Sequence, residues 1–113
     1  MAVVIDKVDG AVVIAVEGQI NSANAPALET DLLSRIDQGE RRVVLDLGLL
    51  SYISSAGLRV VLMMAKRLRQ SDGKLVLCGL QSRVREVFDI SGFLAILTVV
   101  ETREDALRLT SGE

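Results

Sequence analysis

Two runs rich in Val and Ile flank the dipeptide Asp9-Gly10 near the N-terminus. Asp-Gly is typical of a type I′ turn, in which both central residues adopt positive φ. In the run after the turn, Val12, Ile14 and Val16 would point to one face of a sheet and the residues between them to the other. The N-terminal segment is therefore predicted to form a β-hairpin.

The apolar spacing changes to that of an α-helix after residue 20. Residues 21–24 contain cap-type Asn and Ser, and Leu28, Leu32 and Ile36 then recur at helical spacing until Gly39. Beyond this helix, continuous apolar runs that predict buried strands alternate with segments of helical spacing. The predicted strands cover 41–47, 73–80 and 93–100, and the predicted helices run from the serine pair at 54–55 to residue 70, over 81–92 and over 102–112.

This gives the element order ββαβαβαβα. Strand-helix-strand units imply parallel crossovers, whereas the first hairpin is antiparallel. We therefore expect a single α/β domain over residues 1–113, with a mixed, mostly parallel β-sheet and helices packed on it.

The helix after the serine pair has an apolar face and a second, less regular set of apolar residues. A helical wheel groups Leu58, Val61, Leu62, Ala65 and Leu68, with Met64 at the edge, as the face that packs on the sheet. Val60 and Met63 fall on the opposite side among cationic residues. They are either scattered surface residues or part of a docking surface for a partner.

Composition excludes several classes of function. The chain has 13 basic and 15 acidic residues, a net charge of −2 and 3% aromatic residues, so no basic patch for nucleic acid is expected. It has no His and one Cys, Cys78, which is expected to be a buried structural thiol. No metal, cofactor or disulfide is predicted.

No apolar run reaches the roughly 18 residues of a membrane span. Asp6 and Asp9 interrupt any signal sequence, so we expect a cytoplasmic protein without membrane insertion.

The adjacent serines Ser54 and Ser55 stand between a predicted strand and a predicted helix. Either could cap the helix by accepting a hydrogen bond from a backbone N–H. A nucleophilic role needs a base within reach, and a chain without histidine offers none that can be named. The stretch lacks the glycines and lysine of a phosphate loop. A covalently attached phosphate is compatible with the position, because a helix N-terminus stabilises negative charge.

The chain resembles the bacterial anti-sigma factor antagonists, whose domain is called STAS. The similarity extends over nearly the whole chain and is carried by "VVLDLGLLSYISSAGLRVVL", "VEGQINSANAPALETDL" and "KLVLCGLQSRVREVFDISGFLAIL". The specific part is a strand ending in Asp or Asn that leads to a serine motif and a helix opening with Gly-Leu. In that family, the serine at the position of Ser55 is phosphorylated.

The resemblance also implies roles for neighbouring residues. Asp46 matches the acid or amide at the strand end near the phosphorylation site, and Asn21 matches a polar turn residue on the same face. Many members have Asp before the phosphorylated serine and another serine after it, where this chain has Ser54 and Ala56. The predicted partner-binding residues are Asn21, Asp46, Ser54, Ser55, Ala56, Gly57, Arg59, Val60 and Met63.

The implied partner is an anti-sigma factor that is also a serine kinase of the histidine-kinase-like ATPase type. The unphosphorylated protein would bind it and release its client, phosphorylation of Ser55 would end binding, and a metal-dependent serine phosphatase would restore it. The protein itself is expected not to be an enzyme. An alternative is a non-switching STAS subunit of a lipid-transport or stress-signalling assembly, and a small hydrolase is a remote third.

Overall fold

Six strands form one mixed sheet in the computed structural model, which describes residues 1–111. The strands are β1 (Ala2–Val8), β2 (Ala11–Ile20), β3 (Arg42–Asp46), β4 (Leu50–Ile53), β5 (Lys74–Cys78) and β6 (Thr98–Val100). β1 and β2 pair antiparallel, and the other pairings are parallel. The order is β1-β2-β3-β5-β6, with β4 paired to β2 beside this path. The predicted fold class is confirmed.

Within residues 1–111, four α-helices cover the two faces of the sheet unequally. They are α1 (Ala25–Asp37), α2 (Ser55–Gln70), α3 (Ser82–Ile90) and α4 (Arg103–Thr110). Buried residues of α1, α2 and α3 share the larger core with one face of the sheet. Ala106 of α4 packs with Val13, Val44, Val76 and Cys78 on the opposite face. The last helix was predicted to reach residue 112, which lies outside the described residues.

The predicted hairpin is confirmed, and its turn has the expected backbone conformation. Asp9 has φ 51° and Gly10 has φ 83°, so both central residues adopt positive φ. The register pairs Val8 with Ala11 next to the turn. As predicted, Val12, Ile14 and Val16 share one face of β2, which is the face of the larger core.

β2 is long enough to pair with two parallel strands in succession. Residues 12–15 pair with β3, and residues 18–20 pair with β4. The register of the β2–β4 pair shifts between Gly18 and Gln19, and Gly18 has φ 91°, a conformation that favours glycine. The end of β2 is thereby placed beside the residues that lead into α2.

Two elements differ from the predictions. The predicted order omitted β4, a four-residue strand that pairs with β2 alone and has too short a pattern to be detected by itself. The last strand was predicted over 93–100 but is confined to Thr98–Val100. It is preceded by a 3₁₀ turn at Phe93–Ala95, where Phe93 packs edge-to-face on Phe88 at a centroid distance of 6.4 Å. Tertiary packing of an apolar segment has overridden its strand-like sequence.

Candidate functional site

The serine pair lies at the carboxyl end of β4, where the chain turns into α2. Ile53, the last residue of β4, pairs with Ile20 at the end of β2. The next backbone N–H, that of Ser54, donates a hydrogen bond to the Ile20 carbonyl oxygen at 2.8 Å. Since both strands are parallel, the turn is held beside the loop that follows β2.

Ser54 is the N-cap of α2. Its backbone is extended, with φ −84° and ψ 171°, and its hydroxyl oxygen accepts a hydrogen bond from the Gly57 N–H at 3.2 Å. Its carbonyl oxygen accepts from the Leu58 N–H at 3.0 Å. The cap that sequence reasoning assigned to either serine is therefore made by Ser54.

Ser55 is the first residue of α2 and is exposed to solvent. Because Ser54 supplies the cap, folding does not require the Ser55 hydroxyl for that role. The position lies in the first helical turn, where backbone N–H groups and the helix dipole favour negative charge. The two serines thus differ in what they contribute and in what they leave accessible.

Gly57 allows α2 to begin close to the sheet. The residue is buried, and a Cβ atom there would lie 2.7 Å from Cγ1 of Ile53 and 2.8 Å from Cγ2 of Ile20. These distances are shorter than van der Waals contact, so any side chain would push the helix start away from β2 and β4. Glycine in the serine motif therefore sets the position of Ser55 relative to the strands.

Asn21 lies next to the serine turn, on the loop between β2 and α1. Its side-chain oxygen accepts hydrogen bonds from the backbone N–H groups of Ala23 at 3.0 Å and Asn24 at 2.9 Å. In return, the Asn24 side chain accepts from the Asn21 N–H at 2.9 Å. Both asparagines order this loop, and the pairing of Ile20 with Ile53 brings it beside Ser54.

Asp46 does not join the serine turn, contrary to expectation. Alternation along β3 places Leu45 in the core under α1–α3 and Val44 in the cluster under α4, so Asp46 faces α4. One carboxylate oxygen of Asp46 accepts from Arg103 of α4 at 2.8 and 3.0 Å. The other accepts from the Gly48 N–H at 2.9 Å. The residue anchors α4 to the sheet on the face opposite α2.

The prediction that Val60 lies on the surface is wrong. Val60 is only 3% exposed and belongs to the larger core, whereas Met63 is half-buried and Arg59 is exposed. The cause is α1, which packs against α2 and covers a second side of that helix. Conversely, Leu62 and Ala65 of the predicted buried face are only half-buried. Val60 therefore packs mainly beneath the surface, and only a small part of its side chain reaches the α1–α2 groove.

Two shallow grooves flank the serine turn. The α1–α2 groove has a volume of about 300 Å³ and is lined by Ala25, Pro26, Glu29, Ala56, Arg59 and Val60. The β4–α3 groove has a volume of about 360 Å³ and is lined by Gln19, Ser51, Tyr52, Ile53, Arg83, Val84 and Val87.

Sequence reasoning missed the groove residues contributed by other elements, among them Glu29, Tyr52 and Arg83. One signal was present for Tyr52, the single tyrosine of the chain, which lies beside the serine motif and is 48% exposed.

Cys78 lies under α4 and has the properties of a structural thiol. It is 1% exposed, and burial raises the pKa of its thiol to about 11. The nearby Asp46 carboxylate contributes to this increase, and Arg103 opposes it. The thiol is therefore neutral at physiological pH and inaccessible, as the sequence predicted.

The STAS domain profile matches residues 2–106 of the chain. The chain belongs to the STAS domain family. It is 59% identical over 106 residues to BtrV of Bordetella bronchiseptica, which bears the name of an anti-sigma factor antagonist; the alignment covers 94% of this chain and 91% of BtrV. The family resemblance noted in the sequence is confirmed.

Two solved structures share the STAS fold. An anti-sigma factor antagonist-type protein from Thermotoga maritima superposes with a TM-score of 0.92 at 20% identity, covering 96% of this chain and 94% of that one. The Bacillus cell fate determinant SpoIIAA in its phosphorylated form gives a TM-score of 0.74 at 24% identity, covering 95% and 97%. At these identities, the likeness concerns the fold alone. Within residues 1–111, no helix of this STAS domain is long and apolar enough to cross a membrane.

Proposed function

We propose that this STAS protein is a binding switch controlled at Ser55. In the unmodified state it binds an anti-sigma factor that is also a serine kinase, and phosphorylation of Ser55 ends that binding. Its relative BtrV bears the name of an anti-sigma factor antagonist. The observation that carries the proposal is the division between the serines. Ser54 caps α2, while Ser55 is exposed at the first helical position.

The transfer step requires chemistry that the partner supplies. The Ser55 hydroxyl oxygen attacks the γ-phosphorus of ATP bound to the kinase. A new oxygen–phosphorus bond forms as the bond to the β,γ-bridging oxygen breaks, and ADP leaves. The hydroxyl proton passes to a base on the kinase, because this chain has no histidine and the Asp46 carboxylate is held by Arg103 on the other face of the sheet. The STAS protein is thus a substrate and ligand, not an enzyme.

The modification would leave the fold intact and change the surface. A phosphoserine adds about −1.5 to −2 charge. Two unit charges 4 Å apart interact by about 1 kcal/mol in water and about 4 kcal/mol at an effective dielectric constant of 20. Repulsion near the upper of these values, against an acidic partner surface, weakens binding about 100-fold or more, because 1.4 kcal/mol is a factor of ten. An apolar partner surface would oppose binding through the cost of removing the phosphate from water.

The proposed contact surface is centred on Ser55 and includes the exposed or half-buried residues next to it. These are Asn21, Ala56, Arg59 and Met63, with Ser54, Gly57 and Val60 fixing the backbone beneath them. A metal-dependent serine phosphatase would hydrolyse the phosphoserine and restore the binding surface. ATP and both enzymes would meet the protein in the cytoplasm.

Affinity capture from the native cells tests the proposal. Immobilised wild-type and Ser55→Ala proteins are expected to retain a protein with a histidine-kinase-like ATPase domain, and Ser55→Asp is expected to lose it by about 100-fold. With Mg²⁺ and ATP, the captured kinase should add one phosphate to wild type and none to Ser55→Ala, as measured by intact mass. Ser54→Ala is the matched control, because it alters the cap but keeps the acceptor.

Two outcomes would contradict the switch. One is an unchanged mass of the wild-type protein in the presence of a kinase shown to be active. The other is equal capture of partners by wild type and Ser55→Asp, which would favour a non-switching STAS subunit of a larger assembly.

A further inference from the structure

Ser55 and Arg59 are one helical turn apart on the exposed surface of α2. Residues at positions i and i+4 of a helix have Cβ atoms about 5–6 Å apart, so their side chains are neighbours. An acidic group that precedes a basic group at this spacing has the favourable orientation. Arg59 is therefore the charged residue of α2 that lies nearest to Ser55.

Arg59 is available for such a charge. It forms no ion pair with any residue between 1 and 111, whereas Arg67 of the same helix contacts the Asp37 carboxylate of α1 at 2.6 Å. Glu29 lines the α1–α2 groove together with Arg59 but is not paired with it in the described chain. Among the described residues, nothing occupies the Arg59 guanidinium in an ion pair, and it lies next to the proposed acceptor.

We infer that Arg59 captures the phosphate of phosphorylated Ser55 in an intrahelical ion pair. A planar guanidinium binds phosphate oxygens through two parallel hydrogen bonds, which a lysine cannot reproduce. The N-terminal dipole of α2 favours the same negative charge. The inference rests on the proposed function, since it names the residue that receives the phosphate within the protein.

Phosphorylation reverses the sign of the net charge on the Ser55–Arg59 pair. The Ser55–Arg59 pair carries +1 before modification and between about −0.5 and −1 afterwards, because the phosphate adds about −1.5 to −2. The modification therefore adds repulsion and also occupies the cation that an acidic side chain of the kinase would contact. The phosphatase, in contrast, would meet a surface of net negative charge.

The test measures the ionisation of the phosphate directly. Phosphoserine is incorporated at position 55 of the full chain during synthesis, and its second pKa is determined by ³¹P NMR titration. A neighbouring cation favours the dianion and lowers this pKa. We expect Arg59→Gln to raise it by about 0.2–0.4 pH units relative to wild type, from the usual strength of an i,i+4 ion pair. Arg59→Lys should fall between the two.

Lys66→Gln is the matched control, with the same loss of charge on the same helix. Its exposed side chain lies eleven residues beyond Ser55, about 16 Å along the axis. That distance exceeds the Debye length of about 8 Å at physiological ionic strength, so the phosphate pKa should not change. Equal pKa values in wild type and Arg59→Gln, or equal shifts for Arg59→Gln and Lys66→Gln, would overturn the inference.

The result is independent of whether a kinase modifies Ser55. The phosphoserine is installed during synthesis. If Arg59 fails to pair with the phosphate, the proposed binding switch is therefore unaffected. A failure of the kinase to bind or to phosphorylate Ser55 would count against the proposed function and not against the ion pair.

Discussion

Adjacent identical side chains acquire different chemistry from their backbone surroundings at the start of α2. Ser54 has an extended backbone, and its hydroxyl is engaged by the Gly57 N–H. Ser55 is already helical, so its side chain leaves the cap and faces solvent. The cap and the proposed acceptor are therefore separate residues, and a modification of Ser55 need not weaken the cap made by Ser54.

This division predicts unequal effects of two equivalent truncations on stability. Ser54→Ala should lower the free energy of unfolding by about 1 kcal/mol, because it removes the N-cap acceptor. Ser55→Ala should change it by less than about 0.5 kcal/mol, as for an exposed position outside the core. Urea denaturation followed by circular dichroism measures both. A larger loss for Ser55→Ala than for Ser54→Ala would contradict the assignment of the cap.

At the scale of elements, α2 is fixed from two directions. Its Leu58, Val61, Met64 and Leu68 are buried in the core with the sheet, and α1 packs along a neighbouring side where Val60 is buried. The absent side chain of Gly57 lets its first turn approach β2 and β4. The proposed acceptor is thus presented by a helix with little freedom to move away from the sheet.

The buried position of Val60 can be tested against its half-buried neighbour Met63. Val60→Ala should lower the free energy of unfolding by about 2 kcal/mol, because it leaves a cavity between α1 and α2. Met63→Ala should cost less than about 1 kcal/mol, although it removes a larger side chain, since much of that side chain already contacts water. Chemical denaturation of the two variants provides the comparison, and equal losses would argue against the burial of Val60.

At the scale of the whole molecule, the sheet separates two cores of unequal size. The larger lies under α1, α2 and α3, and the smaller lies under α4. The Arg103–Asp46 ion pair joins α4 to the end of β3 at the rim of the smaller core, with Asp6 of β1 3.8 Å from the same guanidinium. The helix that begins with Ser55 and the helix that closes the other face are therefore stabilised by different contacts.

The smaller core predicts a loss of stability at alkaline pH. The thiol of Cys78 has a pKa of about 11 in the folded protein against an ordinary value of 9.0. The folded state holds this proton more tightly than the unfolded state. The protonated thiol therefore stabilises the folded state by about 2–3 kcal/mol below pH 9, and this stabilisation is lost as the pH rises towards 11.

Comparison with Cys78→Ala isolates this contribution from other groups that titrate in the same range. The difference in unfolding free energy between wild type and Cys78→Ala should narrow, or change sign, between pH 9 and pH 11. A difference that stays constant over this range would show that folding does not raise the pKa of the thiol.

Elements that are encoded by short local patterns were predicted from the sequence. Features that depend on residues distant in the chain were missed. The hairpin turn followed from Asp9-Gly10, and α1 followed from the spacing of its leucines, because both signals are local. β4 is a strand only because β2 pairs with it, and Val60 is buried only because α1 lies beside α2. Asp46 was expected near the serine turn. Alternation along β3 puts it on the same face as Val44, but β3 is apolar on both faces, so only the fold shows that this is the face under α4.

The rigid presentation of Ser55 has a consequence for how an enzyme can select it. Its geometry depends on Ile20 and Asn21, which are more than thirty positions away in the chain but adjacent across β2 and β4. An isolated peptide spanning the serines would have neither the strand pairing nor a stable short helix. A kinase acting on Ser55 must therefore read a folded shape instead of a linear consensus, and its specificity would disappear with the tertiary structure of its substrate.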